Sequence, residues 1–161
     1  MLKLVIGTWY LVLSLSPITD FMKKVALFSF LFSLLLVRVS GHGQTLTVVV
    51  HGVKSDQGLL RIGLYNSDKE FMKTRWESKG SKAKVGDVQI VFEGVPPGFY
   101  AISLFHDANE NGKLDSNFAG IPREGFGFSN NVIGTFGPPS FEEAEFAFEG
   151  EKKIEITLKY R

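Results

Sequence analysis

In six short stretches of this chain, apolar side chains recur at every second residue, and that period leaves little choice of fold. The sets are Leu46, Val48 and Val50; Leu60, Ile62 and Leu64; Val88, Ile90 and Phe92; Tyr100, Ile102 and Leu104; Ala144, Phe146 and Phe148; and Ile154, Ile156, Leu158 and Tyr160. A period of two sends alternate side chains to opposite faces of a strand, so each set predicts a strand with one face on a core. Between them stand turn formers, most forcefully Glu93-Gly94-Val95-Pro96-Pro97-Gly98 and Gly137-Pro138-Pro139-Ser140. Proline there removes backbone donors, and glycine admits positive φ. About six strands, short connections and almost no helix predict an all-β chain, folded as an antiparallel β-sandwich.

Local expectations follow from the same pattern. The strands at 45–51 and 60–64 should form a hairpin through the turn at 54–58. Asn66, Ser67 and Asp68 offer helix caps, residues 69–73 a turn or two of helix, and Trp76 an anchor on the core. Residues 78–86 are polar and lysine-bearing, with no regular structure expected. Residues 99–105 are apolar on both faces, which predicts a central strand. Ser140 should cap a short turn through Phe141, Glu142 and Glu143.

The chain has 161 residues, one domain's worth, and no cysteine, which excludes a disulfide framework and a thiolate metal site. A formal charge of +1 provides no basic field for nucleic acid. Met22-Lys23-Lys24 precedes an apolar run over residues 25–37, and small residues follow at Ser40, Gly41 and Gly43. That is the form of a signal peptide spanning 22–43, with cleavage after Gly43 and Gln44 as the mature N-terminus. Residues 1–21 then read as an extension upstream of a true start at Met22. The alternative is an uncleaved anchor or a hairpin of two apolar runs, the chain's one route to a membrane; each run is shorter than the roughly 20 residues of a spanning helix. Residues 1–43 hold four of the 18 Lys and Arg and one of the 17 Asp and Glu, so the remaining domain, 44–161, is mildly acidic. The expectation is an exported domain of the periplasm or cell surface.

Residues 106–131 are the densest in turn formers, oxygen donors and aromatics. Asp107, Asn109, Asn111 and Asp115 fall at positions 1, 3, 5 and 9 of a calcium loop, Gly112 at position 6, and the Lys113 carbonyl at position 7. Phe118 stands where the bidentate glutamate belongs, so Glu124 or Glu110 would have to serve, and affinity would be weak. Without metal the same residues build consecutive turns. His106 and Glu124 suggest an alternative, the acid and base of a small cell-envelope hydrolase or lyase. Against it, His106 falls on the inward face with Tyr100, Ile102 and Leu104, and Gly127-Phe128-Ser129-Asn130-Asn131 departs from the nucleophile-elbow pattern. No catalytic residue is assigned. The glycine–aromatic run from 118 to 136 is expected to pack as the loop's own core over one open end of the sandwich, with Phe128 buried. Otherwise it is an exposed platform for a cell-envelope carbohydrate or protein.

The segment Phe92-Glu-Gly-Val-Pro-Pro-Gly-Phe-Tyr-Ala-Ile102 resembles the Gly-x-Tyr corner of prealbumin-like and carboxypeptidase-regulatory-like sandwiches. A longer set comprises Pro97-Gly98-x-Tyr100-Ala101, His106-Asp107-x-Asn109-x-Asn111-Gly112-Lys113-x-Asp115, Gly120-Ile121-Pro122-x-Glu124-Gly125-x-Gly127-Phe128-Ser129-Asn130 and Pro138-Pro139-Ser140-Phe141. Through these, residues 45–161 resemble the secreted bacterial domain-of-unknown-function family 2141. The resemblance implies a bacterial exported β-sandwich, prealbumin-like or an Ig-like Greek key, and brings no activity with it. Together these readings describe a non-catalytic binding or structural module with a calcium-type loop.

Overall fold

The computed structural model describes residues 44–161. The expected extension at 1–21 and signal peptide at 22–43 lie outside the described residues. No helix among the described residues is long and apolar enough to cross a membrane.

Among the described residues, eight strands form two sheets: β1 Thr45–Val53, β2 Leu59–Tyr65, β3 Glu77–Lys82, β4 Gly86–Glu93, β5 Gly98–Asp107, β6 Phe126–Phe128, β7 Phe146–Phe148 and β8 Glu151–Thr157. One sheet runs β4-β1-β8. The other runs β3-β2-β5, with β6 and β7 sharing the far edge of β5. The chain is thus all-β in two layers, with β5 central. Leu46, Val48 and Val50 meet Leu60, Ile62, Leu64, Ile102 and Leu104 in one buried core between the sheets.

Three expectations about the strands need correction. The sandwich is not wholly antiparallel, because β1 and β8 pair in parallel from Thr45 opposite Glu151 to His51 opposite Thr157. Nor do β1 and β2 form a hairpin; they lie in different sheets. Two consecutive strands can share a core by facing each other as well as by pairing. Here the register of β1 slips between Val50 and Val53, and Gly52 adopts φ +75°. Such a bulge bends the strand, and the connection passes to the opposite layer. Finally, residues 77–82 are a strand. Glu-Ser-Lys-Gly-Ser-Lys has no apolar alternation; β3 takes β2 as its strand partner, and its Lys79 ammonium reaches across to donate to the Val91 carbonyl of β4 at 2.6 Å. A charged edge strand of this kind also discourages further strand addition.

A second core lies outside the sandwich. Directly opposed residues share a face of a sheet. Tyr65 opposes Ala101, Phe105 opposes Phe126, and Ser103 opposes Phe128, all on the outward face of the larger sheet. There Tyr65, Phe71, Ala101, Phe126, Phe128, Phe141 and Ala144 form one buried cluster. The long loop therefore covers the sheet's outer face rather than an open end of the sandwich. β6 causes this: by pairing with β5 it lays the loop's aromatic run flat along the sheet.

The segment after β2 makes a single 3-10 turn at Asp68–Glu70. Its anchor is Phe71, edge-on to Tyr65 at 5.1 Å and to Phe141 at 5.7 Å. Trp76, the expected anchor, is 41% exposed; its ring meets the Tyr100 ring edge-on at 5.7 Å and its backbone N–H donates to the Leu64 carbonyl. The expected turn after Ser140 is helix α1, Phe141–Ala144. Ser140 and Glu143 close a capping box in which each side chain accepts the other's backbone N–H.

Candidate functional site

The outer face of the larger sheet carries the loop from residue 108 to residue 145, and several of its polar side chains have defined structural tasks. Along the far edge of β5, β7 pairs with residues 98–100 and β6 with residues 103–105. The Ile102 N–H falls in the gap. It donates to the Ser129 hydroxyl at 2.9 Å, and that hydroxyl donates to the Ala144 carbonyl. Ser129 is completely buried, so its oxygen completes a β-ladder and is no exposed nucleophile. Asn130 and Asn131 follow, both with positive φ. The Asn130 amide donates to the carbonyls of Glu143 and Glu145. The Asn131 amide donates to the Glu155 carbonyl and accepts the Thr157 N–H, as a strand partner of β8 would.

At the loop's other end, Asp107 is fully buried. Its carboxylate accepts Nε–H of Arg61, the Asn111 N–H at 3.0 Å and the Gly112 N–H at 2.9 Å. Burial alone would push the Asp107 carboxyl up. The Arg61 hydrogen bond, the Gly112 N–H, the Arg61 charge and the Asn111 N–H together outweigh it and hold the group below the usual carboxylate range. Glu124 fastens the two ends of the 107–115 turn, accepting the Ala108 N–H at 2.9 Å and the Asp115 N–H at 3.0 Å.

The residues expected to hold calcium are all in this turn. The Asn109 side-chain oxygen accepts the Asn111 N–H, and the Asn111 oxygen accepts the Lys113 N–H. The amide nitrogens of Asn109 and Asn111 donate to the Asp115 carboxylate at 2.7 and 3.0 Å. Asn109, Asn111 and Asp115 are thus brought together. Asp107 instead faces Arg61, and Lys113 is exposed at the rim. Among the described residues no group of three or more His, Asp or Glu is arranged to hold an ion; the expected set has only two carboxylates.

The alternative acid–base pair is not brought together. His106 is buried on the core face of β5, with Nε2 2.7 Å from the Gln57 carbonyl and Nδ1 3.1 Å from the Tyr160 hydroxyl. Both oxygens of Glu124 accept backbone N–H groups. The two side chains share no pocket, because successive residues of β5 point to opposite faces and Glu124 lies with the loop on the outer one.

What the loop does leave open is an apolar cleft of about 590 Å³. Leu114, Ile121, Phe126, Phe128, Ile133 and Phe136 contribute to its walls, with Met72 from the segment after β2 and Arg161 from the tail. The aromatic run is divided by its position. Phe126 and Phe128 are 8% and 7% exposed, whereas Phe118 and Phe136 are fully exposed. The inner pair packs as the loop's core, as expected, and the outer pair stands in solvent, Phe136 at the wall of the cleft. Sequence reasoning missed Arg61, Asn130, Asn131 and the cleft. Arg61 was visible as the charge out of phase with Leu60 and Ile62, but its partner is set by a strand register that periodicity does not specify.

No curated protein and no solved structure matches this chain. The family model described as "Uncharacterized protein conserved in bacteria (DUF2141)" matches residues 48–157. That stretch runs from β1 to the end of β8 and includes the loop, the second core and most of the cleft, so the chain belongs to this bacterial family.

Proposed function

We propose that the chain is a non-catalytic binding module whose ligand site is the cleft on the outer face of the larger sheet. One observation carries this reading: the cleft is lined chiefly by apolar side chains, while His106, Asp107, Glu124 and Ser129 are engaged in holding the fold. A concave, mostly apolar site of this size is usual for small ligands. Titration with a neutral apolar dye, N-phenyl-1-naphthylamine, tests it. Saturable binding is expected, and Ala119→Trp, which fills the cleft from its exposed rim, is expected to abolish it. Absence of saturable binding, or binding indifferent to Ala119→Trp, would overturn the reading.

Calcium is proposed as the ion of the 107–115 turn. Its support is the convergence of Asn109 and Asn111 on Asp115, with Asp107 fixing the turn's entry. Coordination requires both amides to turn their oxygens inward, and the Arg61 charge beside Asp107 weakens the site. Bound ion stabilises the native state by mass action. Melting temperature should therefore rise at millimolar calcium and fall back with chelator, and Asp115→Ala should remove the rise. No rise at millimolar calcium sinks the proposal.

The module is further proposed to be exported, on the pattern of residues 22–43, with Gln44 as the mature N-terminus; an intact-mass spectrum of the exported protein checks this. The prealbumin-like form of the sandwich is supported by the Tyr100 hydroxyl, which donates to the Pro96 carbonyl at 2.9 Å.

A further inference from the structure

We infer that the cleft takes the hydrocarbon chain of an anionic single-chain amphiphile, such as a fatty carboxylate, and that the guanidinium of Arg161 meets its head; the inference rests on the binding reading above. The lining decides between ligand classes. Its polar side chains are the hydroxyls of Ser116 and Thr135 and the Arg161 guanidinium. A sugar brings many hydroxyls, and a buried hydroxyl without a partner is costly, so this wall suits hydrocarbon and not carbohydrate. A peptide added as a strand would need a free edge beside the cleft. The edge of β6 is already closed, because Phe126 and Lys159 exchange N–H to carbonyl bonds at 3.0 and 2.8 Å.

That same bridge fixes the charge. It lays the tail beside β6 and brings Arg161 to the cleft, its guanidinium carbon 5.9 Å from the centre of the Phe126 ring. Among the described residues it forms no ion pair with an Asp or Glu side chain. Arg161 is exposed, so an anionic head can reach it while remaining partly hydrated. Around the opening, Ile121, Ile133, Met72 and Phe136 are each more than two-fifths exposed. Neighbouring apolar groups left in water mark a surface that another molecule covers.

Calorimetric titration of the full chain with decanoate below its micelle concentration, and with decanol, tests the inference. Decanoate should bind at one per chain. Arg161→Gln should weaken decanoate about fivefold, as expected for a partly exposed ion pair, and leave decanol unchanged. Equal decanoate affinity in Arg161→Gln and the wild type overturns the role of Arg161 but not the cleft. If neither decyl compound binds while the neutral dye does, the amphiphile is wrong and the binding reading stands; if the dye also fails, both fall. Association with phosphatidylglycerol vesicles without decanoate binding would identify a bilayer surface instead, and would overturn the inference.

Discussion

Asp107 shows how a buried charge can be a structural device. Its carboxylate joins β5 to β2 through Arg61 and initiates the long loop through two backbone N–H groups. Removing one member of such a set leaves the others without a partner. Asp107→Asn is expected to cost about 2–4 kcal/mol in a denaturant melt, discounted because Arg61 is partly exposed. The pH dependence has a definite sign. The folded carboxyl lies below its unfolded value of about 3.9, so its contribution is complete above that value and disappears as pH falls through the folded one. The wild type should therefore lose stability on acidification more steeply than Asp107→Asn; parallel pH profiles would contradict this. Ser129 is a second such residue. Ser129→Ala strands the Ile102 N–H and the Ala144 carbonyl, with an expected loss of about 1–3 kcal/mol by the same measurement. The sequence identified Asp107 through its loop spacing, yet its partner is Arg61 and not a neighbour in that spacing. The structural task of Ser129 was not legible, because nothing local reveals that two short strands leave a gap at Ile102.

At the scale of elements, legibility followed the source of each element's stability. Strands β1, β2, β4, β5 and β8 bury one side of a period-two pattern and were readable from it. Helix α1 was readable from its capping residues. β3 was not, because backbone pairing to β2 holds it and its side chains alternate between half-buried and exposed with no apolar member. β6 has only three residues, Phe126, Gly127 and Phe128, all buried because a core lies on each face. Gly127 points inward, where an added Cβ would stand 2.7 Å from an Ile156 methyl. The neighbouring phenylalanines then point outward into the second core. Phe128→Ala is expected to cost about 3–5 kcal/mol, the range for a buried ring. An unchanged denaturation midpoint would mean that the loop's aromatics do not hold it to the sheet.

For the whole molecule, the two-sheet architecture was legible, but the order in which strands meet was not. Alternation specifies which face of a strand is buried without specifying whether the next strand pairs beside it or packs opposite it. The hairpin expected for β1 and β2 and the position expected for the loop both failed for this reason. The cleft had no sequence signature, since it arises only when Leu114, Ile133 and Arg161 are brought together by the loop and the tail. The resulting molecule has a sandwich core, a second core that fixes the loop, and an exposed apolar rim around the cleft. Phe136 tests this division most directly, because it lines the cleft and is fully exposed. The decisive measurement is titration of Phe136→Ala with the neutral apolar dye, with the denaturation midpoint as control. The account predicts several-fold weaker binding with stability within about 0.5 kcal/mol of the wild type. Unaltered affinity, or a large loss of stability, would contradict it.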